Sequence, residues 1–220
     1  MSEFETARQN MVDGQLRPTK VTDSRVLDVM GALPREMFVE KSRQGIAYVD
    51  EDIEVAPGRY LIEPVVLARM VQALDLTAAD SVLVIGAATG YDSALIGRIA
   101  GPVVAVESSA ELADQASMVI NHLGIDNVAV VVGALERGYA EQAPYDVIFF
   151  CGAIDDVPAD IVRQLAPNGR MVAVEGGTEI GVLGRAYLMT RSGESLSKRA
   201  LFDAGTRALP GFAREVAFVF

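Results

Sequence analysis

The sequence is poor in the side chains that metal sites and disulfides require. Its 220 residues include one histidine, one cysteine and no tryptophan. A lone cysteine, Cys151, excludes an internal disulfide and suits a reducing compartment. No base lies beside it in the sequence, so we interpret it as a small buried residue rather than a nucleophile. His122 has no second histidine or nearby cysteine as co-ligand, so we predict a structural or solvated residue and no metal site.

Long apolar runs and positive charge are also scarce. No run approaches the roughly 18 apolar residues that suggest a membrane helix, and Met1–Glu5 lacks the apolar core of a signal peptide. The net charge of −11 repels phosphate backbones, and Lys198–Arg199 is too short a basic cluster to offset it. The sequence therefore predicts a cytoplasmic protein that binds neither membranes nor nucleic acid.

What the chain does contain is apolar material for a large core, since half of its residues are hydrophobic. We predict one domain, 1–220, in which residues 1–60 form an N-terminal helical cap with a loop and 61–220 form the core. Thr22–Ser24 offers N-cap residues for a helix ending before Pro34. The charged run Asp50–Asp52 predicts a solvated loop.

From residue 64 onward, strand and helix patterns alternate. The predicted strands are Ser81–Ile85, Val103–Val106, Val128–Val132, Asp146–Phe150 and Arg170–Val174, and the predicted helices are Pro64–Leu74, Ser93–Ala100, Glu111–Leu123 and Pro158–Leu165. This alternation predicts an α/β fold with a doubly wound, mostly parallel sheet of the Rossmann-like type. Arg185–Thr190 and Glu215–Phe220 predict an antiparallel C-terminal edge hairpin, and Leu209–Phe212 predicts a structural corner.

A glycine-rich loop follows the first core strand. Gly86 comes directly after that strand, and Gly90 begins the next helix. Glycines at these positions permit a tight turn and close backbone approach to a ligand. Glu107 ends the second strand, 21 residues after Gly86, where a carboxylate can accept hydrogen bonds from ribose hydroxyls. The order of strand, loop, helix, strand and acid predicts an adenosine-containing ligand.

Two ligands compete for this loop. A dinucleotide such as NAD needs glycine at the third and sixth positions, where this chain has Ala88 and Tyr91. S-adenosylmethionine has no pyrophosphate and tolerates that bulk better. The loop therefore favours S-adenosylmethionine over NAD.

At this point the sequence resembles the protein-L-isoaspartate O-methyltransferase family over nearly its whole length. The segments that carry the resemblance are Pro34–Val39, Ala47–Asp50, Pro64 with Val66 to Met70, Val82–Tyr91, Gly133, Tyr145–Ile148 and Gln164–Arg170. The resemblance implies the Rossmann-like methyltransferase fold and S-adenosylmethionine as cofactor. It also implies a protein or peptide substrate, methylated on the side-chain carboxyl group of an isoaspartyl residue. The methyl ester then collapses to a succinimide, which can reopen to aspartate.

The resemblance also implies site residues. The cofactor residues would be Gly86, Ala87, Ala88, Gly90, Glu107, Ser108, Gly133, Ala134 and Leu135. The loop facing the substrate would be Tyr60, Leu61, Ile62 and Glu63. No residue is assigned to covalent or acid–base catalysis, because methyl transfer depends mainly on positioning.

Four positions depart from the family pattern. Ile62 replaces the loop serine, Glu63 follows it, Val84 replaces an acidic residue of the first strand, and Ala134 replaces an aspartate after the third. These changes remove polar partners and add a negative charge near an anionic substrate. Two further hypotheses therefore stay open: a catalytically altered protein that only binds a cofactor or partner, and a methyltransferase for a different acceptor.

Overall fold

The computed structural model describes residues 2–177, 182–193 and 195–212. Its α-helices are α1 (Glu3–Met11), α2 (Ser24–Ala32), α3 (Pro64–Leu74), α4 (Tyr91–Gly97), α5 (Ala110–His122) and α6 (Ala159–Gln164). Its strands are β1 (Ile53–Ala56), β2 (Arg59–Leu61), β3 (Val82–Ile85), β4 (Val103–Glu107), β5 (Val128–Val132), β6 (Tyr145–Ile154), β7 (Leu165–Glu175), β8 (Gly184–Ser192) and β9 (Ser195–Ala204). None of the helices in these ranges has both the length and the apolarity to cross a bilayer.

The main sheet has the strand order β5-β4-β3-β6-β7-β8-β9. Its first five strands pair in parallel, and β8 and β9 pair antiparallel at the edge. β1 and β2 form a separate antiparallel hairpin. The predicted fold class, a mostly parallel Rossmann-like sheet with an antiparallel C-terminal edge, is confirmed.

The central strands are apolar because both faces of the sheet are covered. Every residue of β3 and β4 is buried, as expected for parallel strands with helices on either side. Val82 and Val84 pack into one hydrophobic cluster, and Leu83 and Ile85 pack into another on the opposite face. The alternation of side chains along a strand thus fills two core layers from one short segment.

The N-terminal cap packs into the first of these layers. Met11, Leu16 and Met30 are fully or almost fully buried in the same cluster as Val82. Asp23 is the N-cap of α2, accepting a hydrogen bond from the amide of Arg25 at 2.9 Å. The predicted helical cap and its capping segment are confirmed.

Some predicted bounds shift by a few residues, since α4 ends at Gly97 and β7 begins at Leu165. Three further details differ from the sequence predictions. Arg185–Thr190 is a strand, but its hairpin partner is β9, and Glu215–Phe220 lies outside the described residues. α4 begins at Tyr91 rather than at Ser93, because Gly90 with φ +96° provides the cap. In the predicted solvated loop Asp50–Asp52, Asp52 is partly buried because it accepts three hydrogen bonds.

Candidate functional site

The sheet has a topological switch point at β3. One connection from β3 leads to β4 on one side, and the later strand β6 pairs on the other side. In open α/β sheets a crevice forms at the carboxyl ends of the strands at such a point, and ligands bind there. Gly86 leaves β3 and Glu107 ends β4 at this edge, so the structure brings the two main predicted site residues together.

The glycine loop is a tight, buried turn. Gly86, Ala88 and Gly90 have φ angles of +86°, +47° and +96°. The amide of Gly86 donates to the carbonyl of Val106 at 2.9 Å, which ties the loop to β4. A Cβ atom on Gly90 would lie 2.9 Å from the Cβ of Ala116 on α5, so glycine is needed there for helix packing.

Glu107 is fully buried, and both of its carboxylate oxygens are engaged. Oε2 accepts the amide of Ala88 at 2.7 Å, and Oε1 accepts the amides of Ser108 and Ser109 at 2.8 and 3.1 Å. Burial opposes ionisation, but the hydrogen bond and charge of Arg59 hold the pKa of this carboxyl group below its usual range. Glu107 is therefore an ionised, buried hydrogen-bond acceptor at the carboxyl end of β4.

Arg59 is a candidate site residue that the sequence analysis did not identify. It lies on β2, is nearly buried, and its Nη2 donates to Glu107 Oε2 at 2.5 Å. A Cβ atom on Gly86 would lie 3.2 Å from the same Nη2 atom. The guanidinium group thus touches both the carboxylate and the loop predicted to hold an adenosine ligand.

The predicted adenine side of the site lies at the end of β5. Gly133 donates its amide to the carbonyl of Glu107 at 3.0 Å, so this segment stays beside β4. Ala134 and Ser108 are exposed, whereas Leu135 is 1% exposed and packs in the second core layer. The Leu135 side chain is structural, and the accessible groups are those of Ala134 and Ser108.

The predicted substrate loop divides into buried and accessible side chains. Leu61 and Ile62 are each 1% exposed and belong to the first core layer, so the expectation that their side chains face a substrate differs from the structure. Tyr60 and Glu63 remain partly exposed. Burial, with Asp50, Asp52 and Glu51 nearby, raises the pKa of Glu63 to about 7.

Two side chains hold this loop in place. Arg35 is fully buried and donates to the carbonyls of Ala47 and Ile62, each at 2.8 Å. Asp52 accepts the amide of Glu63 at 2.8 Å and that of Arg207 at 2.8 Å. The loop is therefore fixed to the N-terminal cap on one side and to the segment after β9 on the other.

The segment after β9 crosses the carboxyl edge of the sheet. The amide of Ala153 donates to the carbonyl of Arg207, and the amide of Leu209 donates to the carbonyl of Ala153, both at 2.8 Å. A Cβ atom on Gly86 would lie 2.6 Å from Leu209 Cδ2. Leu209–Phe212, predicted as a structural corner, therefore also covers the glycine loop.

A buried polar cluster lies beneath the loop. Asp92, in the first turn of α4, is 2% exposed, and its Oδ1 has no hydrogen-bond partner among the residues that the structure describes. Burial raises its pKa to about 6, against the opposing charge of Arg35. Cys151 is buried as predicted, and burial raises the pKa of its thiol well above the usual range.

His122 is exposed at the end of α5.

Comparison with known families gives one match across most of the chain. Residues 6–185 match the family described as protein-L-isoaspartate(D-aspartate) O-methyltransferase. The chain is 38% identical to the protein-L-isoaspartate O-methyltransferase of Koribacter versatilis, over 91% of this chain and 89% of that protein. It is 33% identical to the enzyme of the same name from Syntrophus aciditrophicus, over 91% of this chain and 92% of that protein.

Solved structures agree with these sequence matches. One structure of a protein-L-isoaspartate O-methyltransferase superposes with a TM-score of 0.81 at 27% identity, covering 93% of this chain and 66% of that one. A second, a Plasmodium falciparum structure in complex with S-adenosyl-L-homocysteine, has a TM-score of 0.75 at 17% identity and covers 95% of this chain and 99% of that one. The second likeness supports the fold alone.

Proposed function

The chain belongs to the protein-L-isoaspartate(D-aspartate) O-methyltransferase family, and from this premise we propose that it methylates the side-chain carboxyl group of isoaspartyl residues, with S-adenosylmethionine as donor. The acceptor is a protein or peptide in which an aspartyl or asparaginyl site has aged. The lone, buried Cys151 fits a reducing compartment, which supports a cytoplasmic location.

The observation that carries this proposal is the placement of Glu107 beside the Gly86–Gly90 loop at the switch point of the sheet. An ionised carboxylate there has the chemistry to accept hydrogen bonds from both hydroxyls of a ribose. The backbone at Gly86 and Gly90 adopts positive φ angles, which allow a ligand to approach the main chain closely. This pairing of loop and acid suits the adenosyl part of the donor.

The residues present fit S-adenosylmethionine, with two contacts that must change. Main-chain groups of Gly86, Ala87, Ala88 and Gly90 would hold its amino-acid part, and Glu107 and Ser108 would hold its ribose. Main-chain groups of the segment Gly133, Ala134 and Leu135 would contact the adenine. The first is the contact between Arg59 and Glu107 Oε2, because it occupies an acceptor that the ribose requires. The second is the contact of Leu209 with Gly86, because the Leu209 side chain covers the loop there.

When bound, S-adenosylmethionine supplies an electrophilic methyl group on a sulfonium ion. The protein then has to hold an acceptor carboxylate in line with that methyl group and keep water out. Tyr60 and Glu63 form the accessible rim where an acceptor would lie. With a pKa of about 7, Glu63 is protonated below neutral pH and does not then repel an anionic acceptor.

The decisive experiment measures transfer of a radiolabelled methyl group to an isoaspartyl peptide. The control substrate is the same peptide with normal aspartate, and the matched variants are Glu107→Gln and Glu111→Gln, the second being exposed on α5. We expect methylation of the isoaspartyl peptide only, a loss of at least tenfold in kcat/KM for Glu107→Gln, and no change for Glu111→Gln. Background methylation by a folded protein that binds S-adenosylhomocysteine would contradict the proposed acceptor.

A second candidate function is cofactor or partner binding without isoaspartyl methylation. Three observations favour it: Ile62, at the position of the family's loop serine, is buried; Ala134 lacks an acidic side chain; and Arg59 already neutralises Glu107. Binding of S-adenosylhomocysteine without methylation of any isoaspartyl peptide would support this candidate. Methylation of a less charged acceptor instead would favour the altered-acceptor hypothesis.

A further inference from the structure

Arg59 holds the acceptor group that the proposed cofactor needs. Glu107 is fully buried, and each carboxylate oxygen is already hydrogen-bonded within the protein. The other donors to Glu107 are the amides of Ala88, Ser108 and Ser109 and the Ser108 hydroxyl, which belong to the glycine loop and to the residues after β4. Arg59 Nη2 is the donor that comes from a different element, the β2 strand. Ribose hydroxyls can therefore reach Glu107 only if Arg59 leaves.

Arg59 cannot leave Glu107 without another acceptor. Its side chain is 7% exposed and that of Glu107 is 0% exposed. Separating a buried ion pair and leaving either charge unpaired is strongly unfavourable. A second carboxylate within reach of the guanidinium group would remove the Arg59 part of that penalty. The carboxylate of Glu107 keeps the amide donors of Ala88, Ser108 and Ser109.

Asp92 has the chemistry for this role. It is 2% exposed, and its Oδ1 lacks a hydrogen-bond partner in the described part of the chain. Arg59 Nε is also buried and has no hydrogen-bond partner among the described residues. The charge of Arg59 acts on Asp92, after the larger effects of the Arg35 charge and of a hydrogen bond with the Cys151 thiol. Asp92 Oδ1 and Arg59 Nε are thus buried polar atoms on groups of opposite charge, and buried atoms of this kind are costly unless paired.

We propose that Arg59 is a gate for the cofactor site, closed when its guanidinium group binds Glu107 and open when it binds Asp92. In the open form, the ribose hydroxyls of the cofactor donate to Glu107 in place of Arg59. Asp92 Oδ1 then gains the partner that it lacks in the closed form. This inference rests on the proposed function, because it assumes that an adenosyl cofactor binds at Glu107.

The gate predicts that substitutions at Arg59 and at Asp92 change cofactor affinity in opposite directions. Arg59→Gln removes the charge that competes for Glu107, so the ribose meets an acceptor that is already free. Asp92→Asn leaves the closed contact in place but removes the charged acceptor of the open form. In the double variant, the change at Asp92 should not alter cofactor affinity further, because the Arg59 guanidinium group that Asp92 would bind is absent.

The test is calorimetric titration with S-adenosylhomocysteine, which measures binding without turnover. We expect Arg59→Gln to bind at least tenfold more tightly than the natural protein, and Asp92→Asn to bind at least threefold more weakly. The double variant should bind within twofold of Arg59→Gln. Arg185→Gln is the matched control, since Arg185 pairs with Asp203 in an exposed ion pair on the edge hairpin, and its affinity should not change.

The outcomes separate the gate from the proposed function. Equal affinity of the natural protein and Arg59→Gln would overturn the gate and leave the function standing. Absence of binding in both, with circular dichroism showing folded proteins, would overturn both. Should Arg59→Gln fail to fold, Asp92→Asn decides alone, because affinity unchanged in that variant also overturns the gate.

Discussion

Glu63 gives the site a titrating group at its rim. Its pKa is about 7 in the folded protein against 4.5 ordinarily, chiefly through burial and then through Asp50, Asp52 and Glu51. The folded state therefore holds a proton that the unfolded state has already lost as pH rises through this window. Stability falls as pH rises from about 4.5 to about 7, and the loss is complete above 7.

Replacing Glu63 with glutamine should remove this loss. One pKa unit corresponds to about 1.4 kcal/mol, and solvent screening of the partly exposed side chain reduces the effect to about 1–2 kcal/mol. We expect Glu63→Gln to match the natural protein at pH 4 and to exceed its free energy of unfolding by that amount at pH 8. Urea titrations at both pH values measure the difference, with exposed Glu111→Gln as control. A constant offset at both pH values would show that the charge of Glu63 is not responsible.

Some residues of the candidate site could be predicted from the sequence, and others could not. Glu107 was predictable because its strand, the preceding glycine loop and the spacing between them are all local features. Arg59 was not, since its contact with Glu107 joins residues 48 positions apart through a hairpin that no short motif marks. Asp92 was also missed, because nothing in the sequence indicates that its Oδ1 atom is buried without a hydrogen-bond partner.

At the scale of elements, the glycine loop and α5 are packed against each other through Gly90. An alanine there would combine a positive φ of +96° with a Cβ atom 2.9 Å from Ala116 and 3.0 Å from Ile120. Left-handed strain costs about 1–2 kcal/mol, and overpacking adds about 1–3 kcal/mol.

We therefore expect Gly90→Ala to lower the free energy of unfolding by about 3 kcal/mol. For a chain of this size that corresponds to a fall of about 6–12 °C in Tm, measurable by calorimetry. Gly14→Ala is the matched control, because Gly14 lies in an exposed helical turn with nothing within 4 Å, and it should be neutral or slightly stabilising. Equal Tm values for the two variants would contradict the role assigned to the loop.

Elements were predictable where burial imposes a pattern and not elsewhere. β3 and β4 are buried on both faces and read as continuous apolar runs. β9 is mostly exposed at the sheet edge, so its residues carry no apolar alternation that would mark a strand. The segment around Leu209 was recognisable as a corner, but its position over Gly86 depends on pairing with Ala153, which the sequence does not encode locally.

At the scale of the whole molecule, the order of elements was enough to predict the parallel sheet and its cap. Right-handed crossovers leave few ways to arrange alternating strands and helices. How the cap meets the core depends instead on single long-range contacts. Arg35 bonds the carbonyl of Ile62, and the Thr89 hydroxyl donates to the carbonyl of Phe38 at 2.6 Å. Such contacts join residues far apart in the sequence, so no local pattern predicts them.

The net charge of −11 is a property of the whole molecule that should select among acceptors. A negative field attracts cationic peptides and repels anionic ones, and salt screens both effects over about 10 Å at 0.1 M. We expect an isoaspartyl peptide flanked by lysines to have a KM about five- to tenfold lower than one flanked by glutamates at 20 mM salt. At 300 mM salt the difference should shrink to about twofold. Glu63→Gln removes one local charge and should leave most of this preference intact. A preference that is lost in Glu63→Gln, or that does not respond to salt, would mean that the rim rather than the whole molecule selects the peptide.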